Sequence, residues 1–288
     1  MNALLWGRLR AGIFGNAVTT IAVATLALLL LAAVFAPWLA PASPDAQHLV
    51  ERLRPPAWSS GSAPGSLLGT DELGRDVLSR LIYGARVSLL VALMATVLSC
   101  VVGTLLGLAS GYLGGWLENL VMRLADVQLG IPSLLLALAI IAALGPGLWR
   151  LIVVLGLTGW VVYARVVRAE VLTLKRREFV VAAEAIGVRR PVIVLRHLLP
   201  NVVAPVATIA TLQVAAVIIL ESSLSYLGLG VPPSTPTWGS MLAAGQLHLG
   251  TAWWIAVLPG LAIMLTTVSL NVVGDLLRDV SDPKTYLS

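Results

Sequence analysis

Long stretches without a single charged side chain constrain this sequence more than any other feature. No Asp, Glu, Lys or Arg occurs between Arg10 and Asp45, and residues 87–117 and 202–220 are equally free of charge. A charge at the centre of a membrane helix costs about 2.5–3.5 kcal/mol on insertion scales, so charge-free apolar runs of this length read as membrane spans. Six are predicted, with cores at 17–35, 87–117, 127–149, 148–164, 202–220 and 249–274. The third and fourth form a hairpin about Gly145-Pro146-Gly147. Its arms would rise only about 26 Å against a hydrocarbon core of about 30 Å. Arg150 and Arg165 lie at the arm ends, where long basic side chains reach the headgroups. The first run follows Arg8 and Arg10 as a signal peptide would, but it exceeds the usual apolar core of about 7–15 residues and is read as a retained helix.

Composition agrees. Of 288 residues 58% are hydrophobic and 11% charged, against about 25% charged in soluble domains. A globular chain of this size has too little interior to hide so much apolar surface. The net charge of +5 fits basic loops at anionic headgroups, and no basic stripe interleaved with aromatics suggests nucleic acid. Cys100 is the single cysteine, which rules out an internal disulfide or a cysteine metal cluster.

With six spans both termini share one side. Placing them in the cytoplasm puts 13 of the 19 Lys and Arg residues inside, eight of them in the loop 165–197. The expected layout is an N-terminal helix with an external Pro- and Ser-rich linker (1–70), then an amphipathic surface segment (71–86). A transmembrane domain (87–276) carrying a cytoplasmic loop (165–200) and a cytoplasmic tail (277–288) follow. The uncharged loop 221–248 holds Pro232, Pro233 and Pro236; it is too broken to span and is expected to pack on the external mouth.

Chemistry-bearing motifs are missing. Lys175 and Lys284, the only lysines, follow Leu174 and Pro283, so no phosphate loop exists. There is no nucleophile elbow and no zinc helix; His48, His197 and His248 lie in separate loops. No catalytic, metal or cofactor residue is predicted. An ion-coupled carrier would hold carboxylates mid-span, whereas the acidic residues here sit at span edges or in loops, Asp126 and Glu221 coming closest. The chain reads as a membrane protein moved by a partner.

The basic loop contains EFVVAAEAIG at 178–187. Phe179, Ala182, Ala183 and Ile186 recur at i, i+3, i+4 and i+7, and Gly187 is placed to end a short helix. Such a helix suits either a groove on another protein or the membrane surface. In the second span Gly103, Gly107 and Gly111 recur every four residues, a spacing that lets helices approach closely in lipid, either within this chain or on a partner. Pro205 and Pro259 fall inside spans, where they would introduce kinks.

Ala182-Ala183, Gly187 and Leu199-Pro200 together resemble the Glu-Ala-Ala loop of ABC-importer permeases. Val181 stands where that loop has Glu, and His197 where Ile is usual. The segments LGTDELGRDVLSRLIYGARVSL (68–89) and ESSLSYLGLGVPPSTPTWGSM (221–241), with the Asp-Pro-Lys at 282–284, are similar to the second permease subunit of dipeptide and oligopeptide importers. The resemblance runs over residues 20–285. It implies an all-α, six-helix type I ABC importer permease and a homologous second permease. It also implies two cytoplasmic ATPase subunits or domains, which bind the ATP and Mg, and an extracytoplasmic substrate-binding protein. It further implies that the helix at 178–187 docks on the ATPase, and that Glu221, Pro232, Pro233 and Trp238 belong to an external loop or gate. Di- or oligopeptides are the expected cargo; nickel chelates, glutathione or another small solute, and more distantly an ion-coupled carrier, are the alternatives.

Overall fold

The computed structural model describes residues 12–232 and 234–281. Pro233 and the Asp-Pro-Lys at 282–284 therefore lie outside the described residues. Most of the described residues are helical, and none lies in a strand longer than an isolated bridge. Lipid offers backbone groups no hydrogen-bond partners, and a helix satisfies them within itself. The main helices are α1 (Ala17–Val34), α2 (Val77–Leu113), α3 (Gly115–Leu129), α4 (Ser133–Leu144), α5 (Leu148–Leu174), α6 (Glu178–Ala185), α7 (Leu199–Tyr226), α8 (Trp238–Gln246) and α9 (Trp254–Ser281). Five segments are long and apolar enough to cross a bilayer, and the bent pair α3–α4 makes a sixth.

That bent pair corrects the third predicted span. The run 127–149 is not one rod: α3 and α4 meet at 92° across Gly130-Ile131-Pro132. Pro132 has no N–H to donate and pushes Ile131 out of helical conformation, so the helix stops where hydropathy alone would continue it. α4, with 12 residues, rises only about 18 Å. Gln128 fastens the end of α3 to α5, donating to the Thr158 carbonyl and accepting from the Trp160 indole at 2.8 Å. Arg168 donates to Glu118 through Nε at 2.8 Å, and Arg165 pairs with Asp126.

A second correction concerns residues 77–86, expected in a separate surface segment. They are the first turns of the 37-residue α2. Asp76 caps it, accepting from the Ser79 amide at 2.7 Å. Val77 is buried with Met241, Trp254 and Ile255, Ala85 with Ala33, Trp238 and Ala262, and Arg80 is buried beside Asp71. The second span also ends earlier than 117, at Gly114, whose φ of 69° breaks the helix.

α2 and α5 run parallel and form the spine. Gly103 faces Trp160, Tyr163 and Ala164; Gly107 faces Ala164 and Val167; Gly111 faces Arg168 and Val171. A Cβ on Gly103 would lie 2.4 Å from the Trp160 carbonyl oxygen, and one on Gly107 would lie 2.7 Å from Val167 Cβ. The stripe thus joins two helices of this chain, where close backbone approach replaces the hydrophobic drive that lipid does not supply. Above it Val91, Ala95, Ile141, Leu155 and Ile218 form one apolar core; below it Leu108, Val167, Val180, Ile193 and Val202 form another. Pro205 and Pro259 sit inside α7 and α9.

Candidate functional site

The two ends of this bundle carry the sequence motifs. At one end α5 runs out at Lys175, and three residues later α6 begins. α6 ends as predicted: Gly187 has φ 78°, its N–H donates to the Glu184 carbonyl at 3.0 Å, and the Val188 N–H donates to Ala183 at 3.0 Å. This is the paired bonding of a Schellman motif, with a residue in left-handed conformation at its centre.

Of the four residues assigned to one face, Phe179, Ala182 and Ile186 are exposed, Ile186 by 80%, and Val181 joins them. Ala183 does not. It is buried with Val180 against Val171, Ile193 and Leu198 of its own chain. The helix is apolar almost all round, so two stripes lie side by side, and the sequence pattern alone does not say which one faces inward. The inward stripe is 180 and 183; the outward one is 179, 182 and 186.

Two polar contacts tie α6 and the end of α5 to the end of α2. The Tyr112 hydroxyl donates to Glu184 at 3.2 Å, and Lys175 Nζ donates to the Tyr112 carbonyl at 2.9 Å while lying 5.4 Å from its ring centroid. Phe179 stacks obliquely on His197, ring centroids 6.3 Å apart, which gives the histidine a place on the outward side of the loop. Residues Ile193–Leu198 are π-helical and lead into α7, with Leu199 partly buried and Pro200 in its first turn, where a missing N–H does no harm.

At the opposite end the expected linker and gate are interlocked. Glu221 is fully buried. Its Oε1 accepts from Ser225 Oγ at 2.7 Å, and its Oε2 accepts from Ser88 Oγ at 3.1 Å and Ser222 Oγ at 3.4 Å. A carboxylate withdrawn from water needs such donors, and here hydroxyls supply them; no Lys or Arg among the described residues pairs with it. Ser88 also accepts from the Trp238 amide at 3.3 Å, and the buried Trp238 indole donates to the Leu81 carbonyl at 3.1 Å. Glu221 therefore pins α7 to α2 and to the start of α8. Pro232 is exposed.

The motif at 68–76 forms a second node that sequence reasoning did not single out as a site. Asp71 accepts from the Leu73 and Arg75 amides, pairs with Arg75 Nε at 2.7 Å, and lies 3.5 Å from Arg80 Nε. Asp76 holds Ser66 and Ser79. Gly69 and Gly74 have positive φ, and a Cβ on Gly74 would lie 1.9 Å from the His48 carbonyl oxygen. The Trp254 indole, at the start of α9, donates to the Thr70 carbonyl at 3.1 Å. An Asp directly before an apolar helical run is an N-cap signal, so Asp76 was readable; the pairing of Asp71 with both arginines was not.

A multi-span helical bundle with one end braced by buried polar groups and a short helix with an exposed apolar stripe at the other is built as a membrane transport subunit. The chain belongs to the family of binding-protein-dependent transport system inner membrane components, whose model matches residues 103–286. A second model, the N-terminal transmembrane domain of oligopeptide transport permease C, matches residues 5–56. The chain is 45% identical over 257 residues to the di/tripeptide transport system permease protein DppC of Pseudomonas aeruginosa, covering 89% of this chain and 85% of that one. It is 45% identical to the dipeptide transport system permease protein DppC of Escherichia coli K12, over 89% and 86% of the two chains. To the glutathione transport system permease protein GsiD of Shigella flexneri it is 41% identical, over 89% and 83%. The chain is thus the transmembrane permease subunit of an ABC importer.

Proposed function

We propose that this subunit imports di- or oligopeptides, driven by ATP through partner chains. The observation that carries the reading is 45% identity, over most of both chains, to permeases named for di- and tripeptide and for dipeptide transport. Glutathione, the cargo in the name of a 41% identical relative, is itself a short peptide and is the second reading. The subunit pairs with a homologous second permease and forms the substrate path at their interface. An extracytoplasmic binding protein delivers the cargo, and two ATPase subunits or domains bind ATP and Mg. The outward stripe Phe179, Ala182 and Ile186 docks on the ATPase: it is apolar, exposed and held by a fixed helix cap. ATP-driven closure of the ATPases then rocks the bundle between two states, biased by the partner's differential affinity.

Both termini face the cytoplasm in this reading. Gly12 lies against Leu276 of α9, which supports one shared end, and the basic loop 165–197 marks that end as inside. The direct test is uptake by proteoliposomes. Labelled dipeptide should accumulate only when both permeases, the ATPases, the binding protein and ATP are present. Uptake by this chain alone, driven by an ion gradient, would sink the proposal. Cysteines placed by Ser62→Cys and Ser234→Cys should react with an impermeant thiol reagent on intact cells, and one placed by Arg190→Cys should not.

A further inference from the structure

A cavity of about 820 Å³ opens between α2 and the N-terminal half of α7. Its walls are hydrocarbon: Leu105 and Leu108 on one side, Val203 and Val206 on the other, with Cys100 and Ala210 at its deep end. Leu105 and Val203 are more than half exposed, so the described chain leaves the cavity open along its length. Such walls give a peptide's amide groups nothing to bond, and unbonded amides are costly to remove from water. The cavity is unsuited to the cargo.

Its cytoplasmic end is different. There it meets a second cavity of about 440 Å³, sharing Tyr112, Leu113 and Arg190. This one holds two cations, Lys175 and Arg190, and one carboxylate, Glu184, already engaged by the Tyr112 hydroxyl. Arg190 is exposed and forms no ion pair with any described residue. Lys175 spends one donor on the Tyr112 carbonyl and keeps two.

Length completes the match. From Cys100 to Leu113 α2 rises about 20 Å, the depth of one leaflet of about 15 Å plus the start of the headgroup layer. An apolar slot one leaflet deep, ending in a basic pocket at the cytoplasmic surface, has the shape and charge order of a single amphiphile. We propose that this groove binds an anionic phospholipid, its acyl chain between α2 and α7 and its phosphate between Lys175 and Arg190. Basic pockets between membrane helices on the cytoplasmic side take acidic headgroups for this reason. The bound lipid would bridge the end of α2 to the loop that carries α6.

The test uses the assembled importer in nanodiscs of equal phosphatidylglycerol and phosphatidylcholine, with retained lipids counted by native mass spectrometry. Phosphatidylglycerol should be retained over phosphatidylcholine by about 25-fold, given about fivefold for each of the two headgroup cations. Inorganic phosphate should not displace it. The double variant Lys175→Gln, Arg190→Gln should lose the preference, and Leu105→Trp should lower retention of both lipids by filling the slot. Should the double variant fold poorly, Arg190→Glu alone changes an exposed side chain and should reduce the preference about fivefold or more. Absence of a headgroup preference in the wild type, or its persistence in Arg190→Glu, would overturn the proposal. So would efficient crosslinking of Leu105→Cys to a helix of the second permease, because a protein would then fill the groove.

Discussion

The two ends of this bundle, outer and inner in the proposed orientation, are built on opposite plans. At the outer end buried polar groups cross-brace segments far apart in sequence: Asp71 with Arg75 and Arg80, Asp76 with Ser66 and Ser79, Glu221 with Ser88 and Ser225. At the inner end one eight-residue helix buries two side chains, Val180 and Ala183, and presents the rest outward. Buried polar networks fix a geometry, because each partner left alone is expensive. An exposed apolar stripe is an incomplete contact. The contrast teaches that the outer end is finished within the chain, whereas the inner end leaves an apolar stripe uncovered, the stripe proposed above to meet the ATPase.

If that contrast is right, substitutions at the outer end and along the spine should lower stability, in a graded order. The largest effect belongs to Asp71→Ala, which deprives the buried Arg75 and Arg80 of the carboxylate they share. Breaking such a pair costs about 3–5 kcal/mol, read as a large drop in the temperature at which detergent-solubilised protein loses monodispersity. Next is Gly107→Leu, which drives a side chain into Val167 and the Ala164 carbonyl and should cost about 3 kcal/mol by the same assay. Wild-type stability in either variant would break the comparison.

Glu221 gives a smaller and sharper effect. Glu221→Ala strands the hydroxyls of Ser88 and Ser225 and should cost about 1–3 kcal/mol. Glu221→Gln keeps most of those bonds and should cost less. Because the carboxylate is fully buried and bonded to hydroxyls, uptake in Glu221→Gln should fall equally for cationic, neutral and anionic peptides. A selective loss of cationic peptides would instead make Glu221 a charge attractor at the outer mouth.

Much of this was legible in the sequence, and the parts that were not share a physical cause. Charge-free runs mark spans because the cost of a buried charge is local, so α1, α2, α5, α7 and α9 were readable. The break in the third span is also local, yet the apolar run passes smoothly through Gly130 and Pro132, and hydropathy does not register a missing N–H. The Gly103, Gly107, Gly111 stripe announced a close approach but not its partner; α5 is 50 to 60 residues on. The cap at Gly187 follows from a single residue's conformational freedom and was predicted correctly. Which stripe of α6 faces inward depends on Ile193 and Leu198 folding back beneath it, a tertiary fact. The outer nodes are tertiary in the same sense: Gly74 is needed because the His48 carbonyl lies against it.

The neighbouring alanines of α6 put the central claim to its most direct test. Ala182 is exposed on the outward stripe and Ala183 is buried on the inward one. The decisive measurement is ATP-driven peptide uptake by the assembled importer carrying Ala182→Arg, with thermal stability and ATPase co-purification recorded on the same preparation. A coupling helix that docks outward predicts near-complete loss of uptake and of ATPase co-purification with unchanged stability, and Ala183→Arg should instead destabilise the subunit itself. Unchanged uptake and an unchanged ATPase complement in Ala182→Arg would contradict the account.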